Sequence, residues 1–299
     1  MRILVTGGTG QLGAALIDRL ASLGPIIATD RALLDLAKPE SIPGTLDHLA
    51  PDIIINSAAY TGVDKAEGES EIALLVNAKA PGIMARWAAR TSVPMIHFST
   101  DYVFDGSGER PWSEGDATRP LSVYGVSKLS GEEQIRAASG CFLIVRTSWV
   151  YAAKGTNFLR TIARLARCRT ELRVVADQIG APTSAALIAN AVASVLASGL
   201  HNLRARAAEA NGLVNLTASG EVSWHLFASE IVSGLRSRGV TLATERVIPI
   251  QTRDYPTAAQ RPRNSRLDLR RLRSVFGITP PHWKDALMPE LDELAREMV

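Results

Sequence analysis

Short apolar runs alternate with amphipathic stretches through the first half of the chain. The runs hold three or four residues without polar alternation, and they are Ile3–Val5, Ile26–Ala28, Ile53–Ile55, Met95–Phe98 and Phe142–Val145. Such runs are typical of parallel strands that are covered on both faces. Longer helical patterns separate them, most clearly at 72–90 and 128–138. This order predicts βαβ units and an α/β fold with a doubly wound parallel sheet.

The pattern loosens after residue 146. The run Leu172–Val175 and the helical pattern at 184–196 are apolar enough to extend the first sheet. The tail at 247–299 is rich in proline and arginine and ends in a helix. We therefore expect two lobes. The first covers residues 1–146, with segments near 171–200 returning to it, and a smaller C-terminal lobe covers residues 147–299.

The composition is that of an ordinary globular protein. Of 299 residues 46% are hydrophobic, and the formal net charge is only +3. The sequence contains no run of five basic residues, so we expect no nucleic-acid partner. No apolar stretch approaches the roughly 20 residues of a membrane span. The cysteines, Cys141 and Cys168, are far apart and predict neither a disulfide framework nor a zinc site. Because the first strand begins at Ile3, we expect no signal peptide and a cytoplasmic protein with no membrane partner.

A glycine-rich turn joins the first predicted strand to the first helix. Gly7, Gly10 and Gly13 have the G-x-x-G-x-x-G spacing, with Gln11 and Leu12 between them. There the chain must turn tightly, approach a pyrophosphate and pack a helix on the sheet. Glycines occur at such turns for steric reasons alone, but the position at the first strand–helix junction indicates dinucleotide binding. The sheet is therefore predicted to be Rossmann-type, with NADPH or NADH as the cofactor.

Further cofactor contacts are expected after the second and third strands. Asp30 stands where a carboxylate meets the adenosine ribose, although a carboxylate there can also cap a turn. Arg31 beside it suits a 2′-phosphate, so the choice between NADH and NADPH stays open. Two more short segments lie where adenine and ribose contacts are expected, and their residues are Asp35, Leu36, Ala59, Tyr60 and Thr61.

Tyr124 and Lys128 are four residues apart, which puts both side chains on one face of a helix. A free phenol has a pKa near 10, and a neighbouring ammonium favours its ionised form, so we expect Lys128 to lower the pKa of Tyr124. By itself such a pair is often two surface residues. Here the segment Ser99–Asp101 follows a buried strand, and ligands of open α/β sheets bind beyond the carboxyl ends of strands. The combination predicts a proton-transfer site.

Seven segments carry a resemblance to a known family. They are TGGTGQLG at 6–13, AAYTGVDKAE at 58–67, STDYVFDG at 99–106, YGVSKLSGE at 124–132, RTSWVY at 146–151, DQIGAPT at 177–183 and RDYPTAAQRPRNSRLD at 253–268. The chain resembles the extended short-chain dehydrogenases/reductases and, among them, the dTDP-4-dehydrorhamnose reductases. The first and fourth segments are general to the superfamily, whereas STDYVFDG and DQIGAPT are more particular to the reductases.

The resemblance implies reduction of the C4 keto group of dTDP-4-dehydro-L-rhamnose to dTDP-L-rhamnose, with NAD(P)H as the reductant. It implies a catalytic triad in which Thr100 orients the carbonyl, Tyr124 donates the proton and Lys128 holds the nicotinamide ribose, and it places both Tyr124 and Lys128 among the cofactor contacts. The nucleotide-diphosphate sugar would bind at the C-terminal substrate lobe. Its expected contacts are Asp101, Trp149, Arg253 and Arg261, of which Trp149 is alternatively a core residue and the arginines alternatively surface residues.

The chain departs from this family at two pairs of alanines. Some relatives carry acidic residues at the positions of Ala14, Ala15, Ala185 and Ala186, where they hold a divalent cation between two subunits. Alanine offers no oxygen ligand to such a cation. We therefore predict no metal site, and either a monomer or a homodimer that needs no metal.

Two other functions remain open on the sequence. A nucleotide-sugar epimerase or dehydratase shares the scaffold, but a dehydratase commonly has Asp-Glu after the threonine, and here Thr100 is followed by Asp101 and Tyr102. An epimerase would keep NAD permanently bound. The other alternative is a non-catalytic regulatory subunit on the same scaffold, against which the intact Thr100, Tyr124 and Lys128 argue.

Overall fold

A six-stranded parallel sheet forms the centre of the computed structural model, which describes residues 1–298. Strands and helices are numbered along the chain, and the strands of this sheet are β1 (Ile3–Thr6), β2 (Ile26–Thr29), β3 (Ile53–Asn56), β4 (Met95–Thr100), β5 (Phe142–Thr147) and β10 (Leu213–Asn215). Their order is β2-β1-β3-β4-β5-β10. The chain crosses from β1 outward in both directions, which confirms the predicted doubly wound parallel sheet.

Helices cover both faces of the sheet. They are α1 (Gln11–Leu20), α2 (Ile42–Leu49), α3 (Val63–Ala66), α4 (Ser70–Leu74), α5 (Ala80–Thr91), α6 (Val123–Ala137), α7 (Phe158–Ala166), α8 (Ala185–Ala197), α9 (Gly199–Glu209), α10 (Trp224–Arg236), α11 (Arg270–Phe276) and α12 (Trp283–Met298). Alternate strand residues enter two cores. Ile3 packs with α1 and α8, whereas its neighbour Leu4 packs with α2 and α5. Burial on both faces explains the continuous apolar runs at Ile3–Val5 and Ile53–Ile55.

Two predicted helices differ from the structure in detail. The pattern at 72–90 is divided into α4, a π-helical turn over Leu75–Lys79, and α5. Helix α6 begins five residues before the predicted start, because the hydroxyl of Ser122 accepts a hydrogen bond from the Gly125 N–H at 3.2 Å and caps the helix. This earlier start places Tyr124 in the first turn of α6.

The second half adds short strands outside the main sheet. These pair as β7 (Glu171–Val175) with β12 (Arg246–Ile250), β8 (Ile179–Gly180) with β11 (Val222–Ser223), and β6 (Val150–Tyr151) with β9 (Thr183–Ser184). The expectation that Leu172–Val175 extends the first sheet is therefore wrong. Of the segment 171–200, α8 packs on α1, while β7 lies in its own two-stranded sheet. The sixth strand of the main sheet is β10, which was not predicted.

The first and second halves of the chain meet at the glycine turn. The Gln11 side-chain amide donates to the Val150 carbonyl at 3.1 Å, and the Asn157 amide donates to Gln11 Oε1 at 3.2 Å. Within residues 1–298 no single helix is long and apolar enough to cross a membrane. Only α8 and α9 taken together have that length and composition, and they are bent by 110°.

Candidate active site

The glycine turn has the shape that a dinucleotide requires. Gly7 has φ +69°, and a Cβ on it would lie 2.9 Å from the Ala58 Cα, while a Cβ on Gly13 would overlap the Gly7 carbonyl. Gly10 precedes α1 without a side-chain cap. The first N–H groups of a helix have no intrahelical acceptor, so those of Gln11, Leu12 and Gly13 are available to phosphate oxygens. The residues fit the pyrophosphate of NAD(P).

Asp30 follows β2, as expected, but its carboxylate also caps a turn. Oδ1 accepts hydrogen bonds from the Ala32 and Leu33 N–H groups at 2.9 and 3.1 Å, and both Asp30 and Arg31 are exposed. Asp35 makes a similar turn through the Ala37 N–H. Leu36 is 5% exposed and belongs to the core below β1 and β3. Only its backbone is therefore placed to meet a cofactor.

The loop after β3 is fixed by a buried amide that the sequence analysis did not single out. Asn77 Oδ1 accepts the Tyr60 N–H at 2.8 Å, and Asn77 Nδ2 donates to the Tyr60 carbonyl and to the Ser127 hydroxyl, each at 3.0 Å. The Tyr60 hydroxyl donates to Glu69 at 2.5 Å. Ala59, Tyr60 and Thr61 thus form an ordered loop whose position depends on Asn77 in the π-helical turn.

Thr100 and Asp101 lie at the carboxyl end of β4 and are almost inaccessible, at 6% and 2% exposure. The Thr100 hydroxyl donates to Asp101 Oδ1 at 3.1 Å and accepts the Tyr102 N–H at 3.2 Å. Oδ2 of Asp101 is buried without a hydrogen-bond partner among residues 1–298. Burial raises the pKa of Asp101 to about 7, although the Ser265 and Thr100 hydroxyls oppose this shift. The Asp101 carboxyl therefore keeps its proton to a higher pH than a free carboxyl does.

Tyr124 reaches Thr100 from the first turn of α6. Burial raises the pKa of Tyr124 to about 12, a hydrogen bond with the Thr100 side chain lowers it, and the Asp101 charge raises it further. Its ring meets the Tyr102 ring edge to face, with centroids 5.6 Å apart. We expected Lys128 to lower the pKa of Tyr124. That expectation is wrong for the free protein, because burial of the phenol outweighs the favourable contacts.

Lys128 is 2% exposed and is held from β4. Its Nζ donates to the Phe98 carbonyl at 2.6 Å and lies 3.3 Å from His97 Nε2. Burial lowers the pKa of Lys128 to about 8, and the carboxylate of Glu132 opposes this shift. The side chain thus has two fixed protein partners and a proton that is held less tightly than in a free lysine.

The α6 helix can approach β4 and the π-helical turn closely because two of its residues are glycines. A Cβ on Gly125 would overlap the Tyr102 carbonyl, and one on Gly131 would overlap the Asn77 carbonyl. These glycines, together with Asn77 and His97, contact α6 or the elements packed against it, and the predictions from the sequence did not include them. A polar residue inside an apolar run was the available signal for His97 and Asn77.

Trp149 borders the same site from the second half of the chain. Its φ is +49°, and its indole stacks on Trp224 with centroids 3.5 Å apart. Gly180, in the DQIGAPT segment, makes room for it, since a Cβ there would lie 2.7 Å from Trp149 Cε2 and 3.1 Å from the Ser265 Cβ. Ser265 in turn contacts Asp101. The predicted Thr100, Asp101, Tyr124 and Trp149 are therefore brought together.

The two predicted arginines differ in their surroundings. Arg261 is half-buried, and its guanidinium pairs with Asp64 at 2.6 Å and donates to the Ala259 carbonyl at 3.2 Å. Its charge acts on Tyr102, which borders Tyr124. Arg253 is exposed in a short 3₁₀ turn. The structure thus joins Arg261 to the site and leaves Arg253 at its surface.

The acidic and histidine side chains form no group suited to a metal. In the described part of the chain no three or more His, Cys, Asp or Glu residues come together in a way that could hold an ion. Ala14 and Ala15 lie on α1, and Ala185 and Ala186 begin α8, the helix that packs on it.

A doubly wound sheet, a glycine turn at its first strand–helix junction and a Tyr-x-x-x-Lys pair beside a buried threonine define the short-chain dehydrogenase/reductase class. Comparison with known proteins identifies the family within this class. A family model described as the RmlD substrate binding domain matches residues 1–296, and the chain belongs to this family.

Similar proteins cover nearly the whole chain. A dTDP-4-dehydrorhamnose reductase of Burkholderia thailandensis is 44% identical over 96% of this chain and 97% of its own, and one of Escherichia coli K12 is 43% identical over 98% of each. Among solved structures, a dTDP-4-dehydrorhamnose reductase of Clostridium acetobutylicum has a TM-score of 0.89 at 35% identity over 98% of this chain and 99% of its own. One of Bacillus anthracis, in complex with NADP, has a TM-score of 0.88 at 32% identity over the same shares.

Proposed function

We propose that this protein reduces the C4 keto group of dTDP-4-dehydro-L-rhamnose to dTDP-L-rhamnose at the expense of NADPH or NADH. Family membership over 296 residues and the named relatives support the reaction. The observation that carries the proposal is the placement of Thr100, buried at the end of β4, against the phenol of Tyr124 in the first turn of α6, with Lys128 one helical turn further along α6. Such a pair both orients a carbonyl and supplies it with a proton.

Tyr124 acts as the general acid in this proposal. When bound, the reduced nicotinamide supplies the hydride. The raised pKa of Tyr124, about 12, keeps the phenol protonated at neutral pH, which is the form that a donor to a developing alkoxide needs. The single proton of the Thr100 hydroxyl, which goes to Asp101 Oδ1 in the free protein, turns to the same carbonyl oxygen when the sugar binds. Lys128 holds the nicotinamide ribose from the Phe98 side.

The substrate lies between the two lobes in this proposal, the first over residues 1–146 with α8 and the second mainly over residues 147–299. The unpartnered Oδ2 of Asp101 accepts or donates a hydrogen bond to a sugar hydroxyl. Trp149 provides an apolar face for the sugar ring. Arg253 and Arg261 contact the diphosphate, since guanidinium groups bind phosphate oxygens in pairs.

The cofactor sites are proposed on the same grounds. The turn at Gly7, Gly10 and Gly13 binds the pyrophosphate, together with the backbone of Gln11 and Leu12. The outer cofactor contacts are Asp30, Arg31, Asp35, Leu36, Ala59, Tyr60 and Thr61. The NADP bound to the Bacillus anthracis reductase supports a nicotinamide cofactor. We place the enzyme in the cytoplasm, where such cofactors are reduced.

A spectrophotometric assay tests this function. Purified protein is mixed with dTDP-4-dehydro-L-rhamnose and either NADPH or NADH, and loss of the reduced-nicotinamide absorbance is followed with a panel of other 4-keto nucleotide sugars as competitors. We expect turnover with the dTDP sugar and exchange of the cofactor at each cycle. Tightly retained NAD without net oxidation would identify an epimerase instead. Absence of turnover with every sugar would favour a regulatory subunit.

A further inference from the structure

A row of polar side chains crosses the apolar sheet beneath the candidate active site. Thr6 of β1, Asn56 of β3 and His97 of β4 occupy paired register positions on neighbouring strands. Their exposures are 1%, 1% and 0%. Buried polar groups are costly unless they are hydrogen-bonded, so a continuous row of them needs a specific arrangement of donors and acceptors.

The contacts of Thr6 determine the donor-to-acceptor direction of the hydrogen bonds along this row. Its hydroxyl accepts the Ala58 N–H at 3.2 Å and lies 2.6 Å from Asn56 Oδ1. That short distance is typical of an O–H···O bond, so the Thr6 proton goes to the amide oxygen. The amide nitrogen of Asn56 then donates to His97 Nδ1 at 2.9 Å. His97 Nδ1 is therefore an acceptor.

His97 is a neutral imidazole in this environment. Burial lowers its pKa well below 6.5, and the neighbouring Lys128 charge acts in the same direction. A neutral ring whose Nδ1 accepts a hydrogen bond carries its only proton on Nε2. This atom lies 3.3 Å from Lys128 Nζ. The row thus ends with an N–H group directed at the amine of Lys128.

We propose that His97 is a positioning residue for Lys128: its Nε2–H donates to the neutral Lys128 amine but cannot donate to the ammonium, while Nζ donates to the Phe98 carbonyl in both forms, so that the buried row favours release of the Lys128 proton. The inference rests on the proposed function only for the use of that proton. A lysine that gives up its proton readily is suited to restoring the phenol of Tyr124 after each transfer.

Other titratable groups around Lys128 also affect its protonation. Glu132 lies one turn further along α6 and favours the ammonium form, but its carboxylate is shared with Arg146 of β5 through two hydrogen bonds. Tyr124 lies one turn earlier, and its phenol is protonated at neutral pH. From β4, His97 is neutral and only the Phe98 carbonyl accepts from Nζ. A substitution at His97 therefore removes the effect of its Nε2–H group on the pKa of Lys128 and leaves the charged neighbours of Lys128 in place.

The tautomer is measured in the unmodified protein. Two-dimensional ¹⁵N–¹H spectra of the histidine rings distinguish Nε2–H from Nδ1–H, and the His97→Asn variant identifies the His97 signals. We expect a neutral Nε2–H ring at every pH from about 5.5 to 9. A ring protonated on Nδ1 alone, or one that titrates near pH 6.5, overturns the proposal. This measurement needs no substrate, so it stands apart from the proposed reaction.

The effect on Lys128 is measured in two ways. An asparagine at position 97 reaches as far as Nδ1 but not Nε2, so His97→Asn keeps the Asn56 contact and loses the Lys128 contact. We expect the titration of Lys128, followed by NMR in ¹³C-lysine protein and assigned with Lys128→Met, to move upward by about one pH unit. The alkaline limb of the kcat profile moves with it.

The control variant is Met95→Leu, two residues earlier on β4, where a volume-conserving change leaves the row intact. It should leave both the titration and the alkaline limb unchanged. A His97→Asn enzyme with reduced kcat but an unmoved limb and unmoved Lys128 titration would mean that His97 only fills space, which overturns the proposal. If the wild type lacks turnover, the proposed function fails while the NMR result still decides the role of His97.

Discussion

Arg146 and Glu132 form a buried ion pair that joins β5 to α6, the helix that carries Tyr124 and Lys128. The guanidinium Nε and Nη2 donate to the two carboxylate oxygens at 2.8 and 2.6 Å, and the side chains are 3% and 1% exposed. Arg146 also lies over the Phe104 ring at 5.0 Å. Because β5 and α6 are otherwise joined by few polar contacts, this pair sets where Tyr124 and Lys128 stand above the sheet.

Removing one member of this pair should be costly. We expect Arg146→Met to lower the free energy of unfolding by about 3–5 kcal/mol, because it leaves the Glu132 carboxylate buried without a partner. Urea unfolding of the purified variants measures this. The double variant Arg146→Met/Glu132→Gln should lose less than the single one. Arg90→Met, which breaks the exposed pair with Asp47, is the control and should change stability by less than about 1 kcal/mol.

Loss of the phenol hydroxyl should affect chemistry and leave cofactor binding intact. We expect Tyr124→Phe to reduce kcat by roughly 10²–10⁴-fold, since a positioned general acid contributes about that much. The dissociation constant for NADPH, measured by fluorescence titration, should stay within about twofold of the wild-type value. A variant with unchanged kcat would show that another group donates the proton.

The strands and the cofactor turn were predictable because their physical signals are local. A strand buried on both faces is uniformly apolar, as in Ile53–Ile55, and a glycine that must adopt φ +69°, as Gly7 does, is visible in the sequence. The shared helix face of Tyr124 and Lys128 was predictable for the same reason, because the two residues are four positions apart on one helix. None of these inferences needed a contact between distant parts of the chain.

The features that could not be predicted depend on contacts between residues far apart in the sequence. Three residues of β10 join the sheet only because Leu213–Asn215 pairs with residues of β5 that lie 69 positions earlier, and such a short segment has no periodicity. The role of Asn77 depends on Tyr60 and Ser127, which lie on other elements. The raised pKa of Tyr124 reflects how far α6 is buried, which the spacing to Lys128 does not determine.

Asp101 should make stability depend on pH. Its pKa is about 7 in the folded protein and near 3.9 when unfolded, so the folded state binds the proton more tightly between these values. Stability from this group is therefore full below about pH 4, falls as pH rises through 7 and is constant above, with a slope of at most about 1.4 kcal/mol per pH unit. Asp101→Asn removes this contribution.

The Tm values of the wild type and of Asp101→Asn are measured between pH 4 and 9. The other titrating groups are common to both proteins, so the difference between wild type and Asp101→Asn isolates Asp101. We expect the Tm of Asp101→Asn to rise relative to that of the wild type as pH increases from 4 to 7, and the difference to stay constant at higher pH. Two parallel curves would mean that Asp101 ionises normally.

Trp149 should act on substrate binding. Trp149→Phe and Trp149→Ala place equally unfavourable residues at φ +49°, so the backbone cost is shared and the difference reports the aromatic face. We expect Trp149→Ala to raise KM for the nucleotide sugar roughly tenfold and Trp149→Phe to raise it less, because aromatic contacts contribute about 0.5–1.5 kcal/mol beyond area. KM for NADPH is the internal control. Equal KM values for both variants would assign Trp149 to packing against Trp224.

The helices α1 and α8 should give no metal-dependent assembly. Their alanines, Ala14, Ala15, Ala185 and Ala186, have no oxygen atoms in their side chains, and a hard divalent cation binds through oxygen ligands. We expect the average molecular mass and the activity to be the same in EDTA and in millimolar Mg²⁺. Equilibrium ultracentrifugation at several protein concentrations measures this, with Ala14→Glu/Ala185→Glu as the comparison. A dimer of the wild-type chain that dissociates when EDTA is added would contradict the prediction and require metal ligands elsewhere on this face.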